Sequence, residues 1–312
     1  MNLCPNGSSK HEFNIVAFST SGQLQLFFCI LIIYLITMLG NLLIIFLVYL
    51  VPKLQTPMYF LLSNLAAADV TSTSNCIPKL LSITLTWDHR ISFSCCMTQL
   101  FFFLLSATGE IFILTSMAYD RFVAICKPLQ YYTIMRKNVY IAMAASCWLL
   151  SLLNSLLHTL LICVLKFCNS HDINNFYCDM NSLLALSTTD TRNHKIFLFF
   201  ELSVIFLVQF ILIIISYIFI FGTILKIRSS GGRMKAFSSC ISHLITVILF
   251  YGPSLILYMK TKGSKEKDTL LSMLYLVVVP MLNPLVYSLR NKEVWEATVM
   301  LKKKILRSSL FG

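Results

Sequence analysis

Long, almost unbroken apolar runs alternate along the chain with short polar connections. Seven of these runs, at 24–50, 58–85, 97–125, 139–165, 196–225, 237–259 and 269–289, are long enough to cross a bilayer. A helix of about 20 residues spans the ~30 Å hydrocarbon core, because each residue adds about 1.5 Å. The pattern therefore predicts an all-α membrane protein, a seven-transmembrane helix bundle with its termini on opposite sides. The third run ends in MAYDRFVAIC at 117–126, which sets an acid beside a base, Asp120 and Arg121, where that helix leaves the lipid. Such a pair reads as a switch between states rather than the lining of a pore.

Charge orients the bundle. With the N-terminus outside and the C-terminus cytoplasmic, 15 of the 25 Lys and Arg residues fall on the inner side and 10 outside, the bias that positive-inside insertion requires. Lys260, Lys262, Lys265 and Lys267 in the last outer connection run against it. Hydrophobic residues make up 57% of the chain and charged residues 12%, about half the charged share of a soluble domain. The net charge of +12 is scattered between apolar spans, so it marks the membrane surface rather than a nucleic-acid partner. No short apolar segment with a small-residue cleavage site precedes residue 24, so the first span is expected to act as its own insertion signal with nothing removed. The organisation expected is an outer tail at 1–23, a seven-transmembrane domain at 24–289 and a cytoplasmic tail with a surface helix at 290–312. Asn6 heads the sequon Asn6-Gly7-Ser8 in the outer tail and is the expected glycosylation position.

Eleven cysteines are present, and Cys29, Cys76, Cys126, Cys147, Cys163 and Cys240 sit within apolar spans, where a small buried thiol needs no function. Cys96 stands at the outer start of span three, and Cys168 and Cys178 lie in the long polar connection 166–195, which faces an oxidising compartment. A Cys96–Cys178 bridge would pin that connection over the bundle as a lid, with Cys95 as the adjacent competitor, because connectivity is not readable from cysteine positions. Asn41, Asp69, Glu110 and Asn283 lie well inside spans, where polar groups must face the interior and find partners. Asp69 and Glu110 are a candidate sodium site; a hydrogen-bonded network that fixes packing is the equal alternative. No activated nucleophile, metal triad or Ser/His arrangement accompanies these acids, so no catalysis and no other cofactor or metal is expected. Pro253, Pro280 and Pro284 permit bends in spans six and seven. A transporter or channel with Asp69, Glu110 and Asn41 along an ion path is the competing reading, but no internal repeat supports it.

The ordered series Gly40-Asn41, TPMYFLLSNLAAAD at 56–69, MAYDRFVAICKPLQY at 117–131, Ser216-Tyr217, KAFSSCISHL at 235–244, Phe250-Tyr251-Gly252 and PMLNPLVYSLRNKEV at 280–294 resembles the rhodopsin-like G-protein-coupled receptors and, within them, the odorant receptors. The resemblance covers nearly the whole chain. It implies the Cys96–Cys178 bridge, and a switch of Asp120, Arg121, Tyr217, Asn283, Pro284 and Tyr287 at the G-protein end. In that switch Asp120 holds Arg121 in one state and releases it toward the partner in the other. It further implies small volatile odorants as ligands, a heterotrimeric stimulatory olfactory-type G protein that raises cyclic AMP, and residence in the plasma membrane of sensory cilia. A related receptor that senses another small metabolite outside the nose is not distinguished by any residue. The chain departs from the family pattern at Thr188, which leaves Cys168 without its usual bridge. It departs again at Leu104, at His194-Lys195, and in having no proline within span five.

Helical spacing places an outer ligand pocket on Leu104, Ala107 and Thr108 of span three and on Glu201 and Ile205 of span five. Tyr251, Ser254, Leu255 and Tyr258 of span six and Met273 and Leu276 of span seven complete it. Such a lining suits a small, mostly apolar molecule, although apolar helical stripes are equally ordinary core. Glu201 is the unusual member: it could meet a ligand amine or alcohol, or lie nearer the interface beside Lys195. Arg136, Lys137, Lys226, Arg228, Arg233 and Lys235 on the inner loops suit a docking partner or anionic lipid. After Arg290, Val294, Trp295, Thr298, Val299 and Leu301 form an amphipathic face with Lys302 to Lys304 available for headgroups. No cysteine follows Cys240, so no lipid anchor is expected in the tail.

Overall fold

In the bilayer a helix must satisfy its own backbone, and over the described residues each of the seven apolar runs is helical. The computed structural model describes residues 12–16, 23–168, 171–259, 271–290 and 294–300, without the side chains of 23, 202, 256–259 and 288–290. The elements in chain order are β1 (Glu12–Ile15), α1 (Gln23–Leu50), α2 (Pro57–Thr86), β2 (Arg90–Ser92), α3 (Phe93–Cys126), α4 (Tyr131–Ile134) and α5 (Lys137–Cys163). They continue with β3 (Asp172–Ile173), α6 (Met180–Leu186), α7 (Arg192–Leu225), α8 (Ser230–Met259) and α9 (Val279–Arg290), the last preceded by a π-helical turn at Leu274–Val278. The spans are α1, α2, α3, α5, α7, α8 and the π turn with α9. Among the described residues, five helices are long and apolar enough to cross a membrane by composition alone. The other two spans carry the polar residues that hold the bundle together: Asp69 and the run Thr71 to Asn75 in α2, and Asn283 in α9.

Large apolar side chains point outward along α1, α5 and α7, including Leu24, Ile32 and Leu39, Leu153 and Leu160, and Phe199, Ile211 and Ile218. In water such faces would aggregate; here lipid tails cover them. Local signals start the helices where they start. Pro57 opens α2 after an extended Thr56, and the Ser92 hydroxyl caps α3 by accepting from the Cys95 N–H.

Packing of the seventh span turns on Pro284. A proline inside a helix has no N–H for the carbonyl four residues back, which leaves the Pro280 carbonyl without its helical donor. Asn41 of α1 supplies one, its Nδ2 donating to Pro280 O at 3.0 Å. The approach is close enough that a Cβ on Gly40 would lie 2.9 Å from Pro284 Cγ, so only glycine fits there. Next to the proline, Asn283 Nδ2 donates to both carboxylate oxygens of Asp69 on α2, at 3.2 and 2.9 Å. Three helices thus meet at one node.

The outer surface is covered by a three-stranded sheet of order β2-β1-β3, in which β1 runs antiparallel to β2 and parallel to β3. Within the outer tail, residues 12–15 are a strand whose Phe13 and Ile15 alternate inward and are buried among Phe93, Phe167 and Ile173. The Cys96–Cys178 disulfide ties the lid to α3. Beneath it Gln99 accepts from the Cys178 N–H and exchanges amide hydrogen bonds with Asn75 of α2. Cys168 is also disulfide-bonded, by a bridge other than the usual one that Thr188 removes. At the exposed rim, hydrogen bonds from Arg90 hold the Asp88 carboxyl below its ordinary pKa.

If the Pro280 carbonyl is what Asn41 serves, Asn41→Ala destabilises the purified receptor in nanodiscs by about 1–3 kcal/mol, read as a lower thermal midpoint. Pro284→Ala restores a backbone donor to that carbonyl, so the same Asn41→Ala change made in a Pro284→Ala background costs clearly less. Equal costs in the two backgrounds refute the link.

Candidate functional site

At the cytoplasmic end, three helices are joined through one histidine. The Tyr217 hydroxyl on α7 donates to His243 Nδ1 on α8 at 2.8 Å, and His243 Nε2 lies 3.0 Å from the Leu114 carbonyl of α3. A carbonyl can only accept, so the ring carries its proton on Nε2, and Nδ1 is free to receive the tyrosine. His243 and Tyr217 are buried, and a short hydrogen-bonded chain in that setting has no competing water. Cys126 Sγ and Thr223 Oγ1, 3.2 Å apart, join α3 to α7 nearby. Tyr287 is buried in the same cluster as Tyr217.

Asp120 and Arg121, adjacent on the helix, diverge by about 100° and among the described residues form no ion pair in this structure, although the Arg121 charge still acts on the Asp120 carboxylate. Here Asp120 accepts from the Tyr131 hydroxyl of α4 at 2.8 Å. Burial, and then the Asp120 carboxylate beside it, push the Tyr131 hydroxyl's pKa up, so it stays a donor. Arg121 Nε is buried without a hydrogen-bond partner. An apolar hollow of about 470 Å³ opens between the inner ends of α7 and α8, lined by Phe221, Ile224, Leu225, Met234 and Phe237 with Ser230 and Arg233. Of the expected surface-helix face, Val294 packs inward with Ala297 while Trp295 and Val299 point outward. Lys53 ties that helix to the first inner turn by an ion pair with Glu296 at 3.1 Å. Leu301 and Lys302 to Lys304 lie outside the described residues.

Midway through the bundle, Asp69 and Glu110 are both buried. Asp69 is held by Asn283, and Glu110 accepts from Tyr275 in the π turn at 3.4 Å. Among the described residues no group of three or more His, Cys, Asp or Glu side chains is arranged for a metal.

The described residues of the expected outer pocket are shared among three packed clusters. Leu104 packs with Ile162, Cys178 and Leu198 beneath the lid. Tyr251 is buried against Phe206 and Phe210 of α7, with Leu255 packed on the same cluster. Leu276, with Met273 against it, faces Ile30, Ile77 and the lid residues Phe176 and Tyr177. Phe103 and Tyr275 bridge these clusters. Ala107, Ile205 and Ser254 are half-buried, and the Ser254 hydroxyl is taken up by the Phe250 carbonyl of its own helix. The Tyr258 side chain and Asn6 lie outside the described residues.

Glu201 turns inward, away from Lys195. Its Oε1 accepts from Asn154 Nδ2 of α5 at 3.1 Å, its Oε2 stands 3.6 Å from His158 Nε2, and Thr108 of α3 donates to Asn154 Oδ1 at 3.2 Å. Asn154 and His158 went unnoticed in the sequence, although polar residues four apart within an apolar span were a usable signal. His243 was visible only inside a longer motif, and Tyr131 lay just beyond the third span.

Seven apolar helices, a disulfide-pinned outer lid and inner helix ends joined by buried hydrogen bonds define a G-protein-coupled receptor of the rhodopsin-like class. The olfactory receptor family profile matches residues 28–304. Olfactory receptor 1G1 of Gorilla gorilla gorilla is 45% identical over 93% of this chain and 94% of its own length. The human olfactory receptors 8U9 and 1E1 are 43% and 47% identical, covering 97% and 85% of this chain and 99% and 85% of their own lengths. The chain belongs to the olfactory receptor family. It is accordingly a multi-pass membrane protein and a receptor, not an enzyme, with odorants and G proteins as the partners of its family.

Tyr217→Phe keeps the ring and deletes the link to His243. The expected loss is about 1–2 kcal/mol of local stability, or roughly five- to thirtyfold faster amide exchange in the inner half of α8. Hydrogen–deuterium exchange reads it, with lid peptides unchanged; unaltered exchange in α8 refutes the link.

Proposed function

We propose that this receptor binds small, mostly apolar volatile molecules in the outer half of the bundle and activates a stimulatory olfactory-type G protein, raising cyclic AMP. The observation that carries this reading is the Tyr217–His243–Leu114 link in the bundle that also holds Arg121, whose buried Nε has no hydrogen-bond partner, in a chain of the olfactory receptor family. An odorant that binds more tightly when the inner ends are apart shifts the population toward that state, and the G protein, which binds only there, shifts it by the same coupling. Coupling free energies of this kind are about 1–3 kcal/mol, comparable to the two hydrogen bonds of His243. Arg121 then meets an acceptor on the partner, while the inner basic residues and the outward Trp295 contact lipid headgroups. The expected location is the plasma membrane of olfactory cilia.

A sodium ion suits the middle of the bundle. Asn41 Oδ1 and Asn283 Oδ1 are buried acceptors without a donor, close in the fold to the Asp69 carboxylate, and oxygen donors match a hard cation. Asp69, Glu110 and Asn283 would hold it, and its charge would offset carboxylates that lipid cannot solvate.

The main test expresses the chain with the olfactory G protein and screens a volatile panel for cyclic AMP. At least one volatile gives a response, and Arg121→Ala lowers it by about tenfold or more at matched surface expression, the equivalent of ~1.4 kcal/mol. A response unchanged by that substitution sinks the proposed switch. For the ion, exchanging sodium for N-methylglucamine lowers the thermal midpoint of the purified receptor by a few degrees, and Asp69→Asn abolishes the difference; a midpoint indifferent to sodium rules the site out.

A further inference from the structure

The network around Glu201 contains an electrostatic imbalance that a ligand could resolve. A carboxylate only accepts hydrogen bonds, so the amide nitrogen of Asn154, not its oxygen, must face Glu201 Oε1. The Thr108 hydroxyl, donating to Asn154 Oδ1, agrees with that orientation. The second hydrogen of Asn154 Nδ2 then points to His158 Nε2 at 3.2 Å, so Nε2 accepts and the ring is the neutral form with its proton on Nδ1. His158 Nε2 and Glu201 Oε2, 3.6 Å apart, are therefore two acceptors side by side, too far apart for a hydrogen bond in any case. Oε2 is left with no hydrogen bond, and among the described residues no lysine or arginine forms an ion pair with Glu201.

A carboxylate without a counter-charge is costly within a membrane span. Three helices nevertheless hold this one in place, through Thr108 on α3, Asn154 and His158 on α5, and Glu201 itself on α7. His158 is wholly buried, whereas the Glu201 side chain is 23% exposed; its Oε2 is itself covered, so a ligand that completes the acid must part the side chains over that oxygen. Ile205 lies one turn along the same face of α7 and offers apolar contact beside the charge.

We propose that Glu201 is the counter-charge for a protonated volatile amine, whose ammonium hydrogens fill Oε2 while its alkyl chain lies along Ile205. An alcohol brings one hydrogen and no charge, so it leaves the acid uncompensated; an ether brings neither. The proposal rests on the ligand-binding reading above and adds the chemical class that the site selects.

The test compares pentylamine, pentanol and pentyl methyl ether, probes that share a chain and differ only in the head group. Cyclic AMP dose-response in cells is paired with thermal stabilisation of the purified receptor. The amine is expected to act at a concentration about tenfold or more below the alcohol, the equivalent of ~1.4 kcal/mol, and to raise the thermal midpoint where the ether does not. Glu201→Gln, nearly isosteric, removes the amine preference, and Asn154→Ala weakens it. Surface staining and the unliganded thermal midpoint certify that each variant is folded; if Glu201→Gln is not, Glu201→Asp serves, with an intermediate amine preference expected. Amine potency unchanged in the folded variant, stabilisation by alcohol and ether equal to that by amine, or no stabilisation by the amine at all overturns the proposal. Stabilisation by the amine without any cyclic AMP response leaves the amine site standing and counts against the coupling proposed above. Cyclic AMP responses to neutral volatiles alone do the reverse.

Discussion

The arrangement of α1, α2 and α9 depends on one missing backbone donor. Pro284 leaves the Pro280 carbonyl unserved in surroundings that hold no water to serve it, and Asn41 reaches across from α1 to fill the vacancy. The reach is short because Gly40 has no side chain where α1 touches the proline ring. Asn283, fixed next to that ring, is then in position to hold Asp69. Gly40-Asn41, Asp69 and Asn283-Pro284, far apart in the chain, are parts of a single solution to one steric and hydrogen-bonding problem.

The two ends of the bundle are held by different kinds of force. On the outside, the lid is covalently tied through Cys96–Cys178, hydrogen-bonded into a sheet by β1, and packed with buried aromatic and aliphatic side chains. Opening it would require breaking many contacts together. On the inside, α8 is joined to α3 and α7 through His243, and Asp120 is held by a single tyrosine. Contacts worth about 1 kcal/mol each are of the size that a bound molecule can offset, so the end that faces the G protein is the end able to move.

How far the sequence could be read depended on whether a feature is local. Seven apolar runs, the proline and amide positions and the outward cysteines are properties of single segments, and they appear in the structure near their expected places. What escaped involved partners distant in sequence. The strand Glu12–Ile15 is only four residues with one inward alternation, and β2 and β3 define it more than its own residues do. Asp120 has a hydrogen-bond partner in Tyr131, eleven residues on, that the neighbouring Arg121 in the chain gave no hint of. Likewise, Met273 and Leu276 share the outer half with Tyr251 but face the α1–α2 side, a rotation about the helix axis that spacing alone does not set and that the π turn at Leu274–Val278 shifts further.

The helix that joins the two ends is α7. Glu201 and Tyr217 lie sixteen residues apart on it, about 24 Å along the axis, with no proline between them to absorb a bend. A continuous helix transmits a tilt: in the proposal above, a pull on Glu201 toward α5 by the bound amine would displace Tyr217 relative to His243, and a hydrogen bond of 2.8 Å tolerates only a few tenths of an ångström before it weakens. The absence of a proline from α7, which as a sequence feature was only a departure from the family pattern, thereby acquires a mechanical meaning. It makes the acid of the outer half and the tyrosine of the inner half two points on one lever.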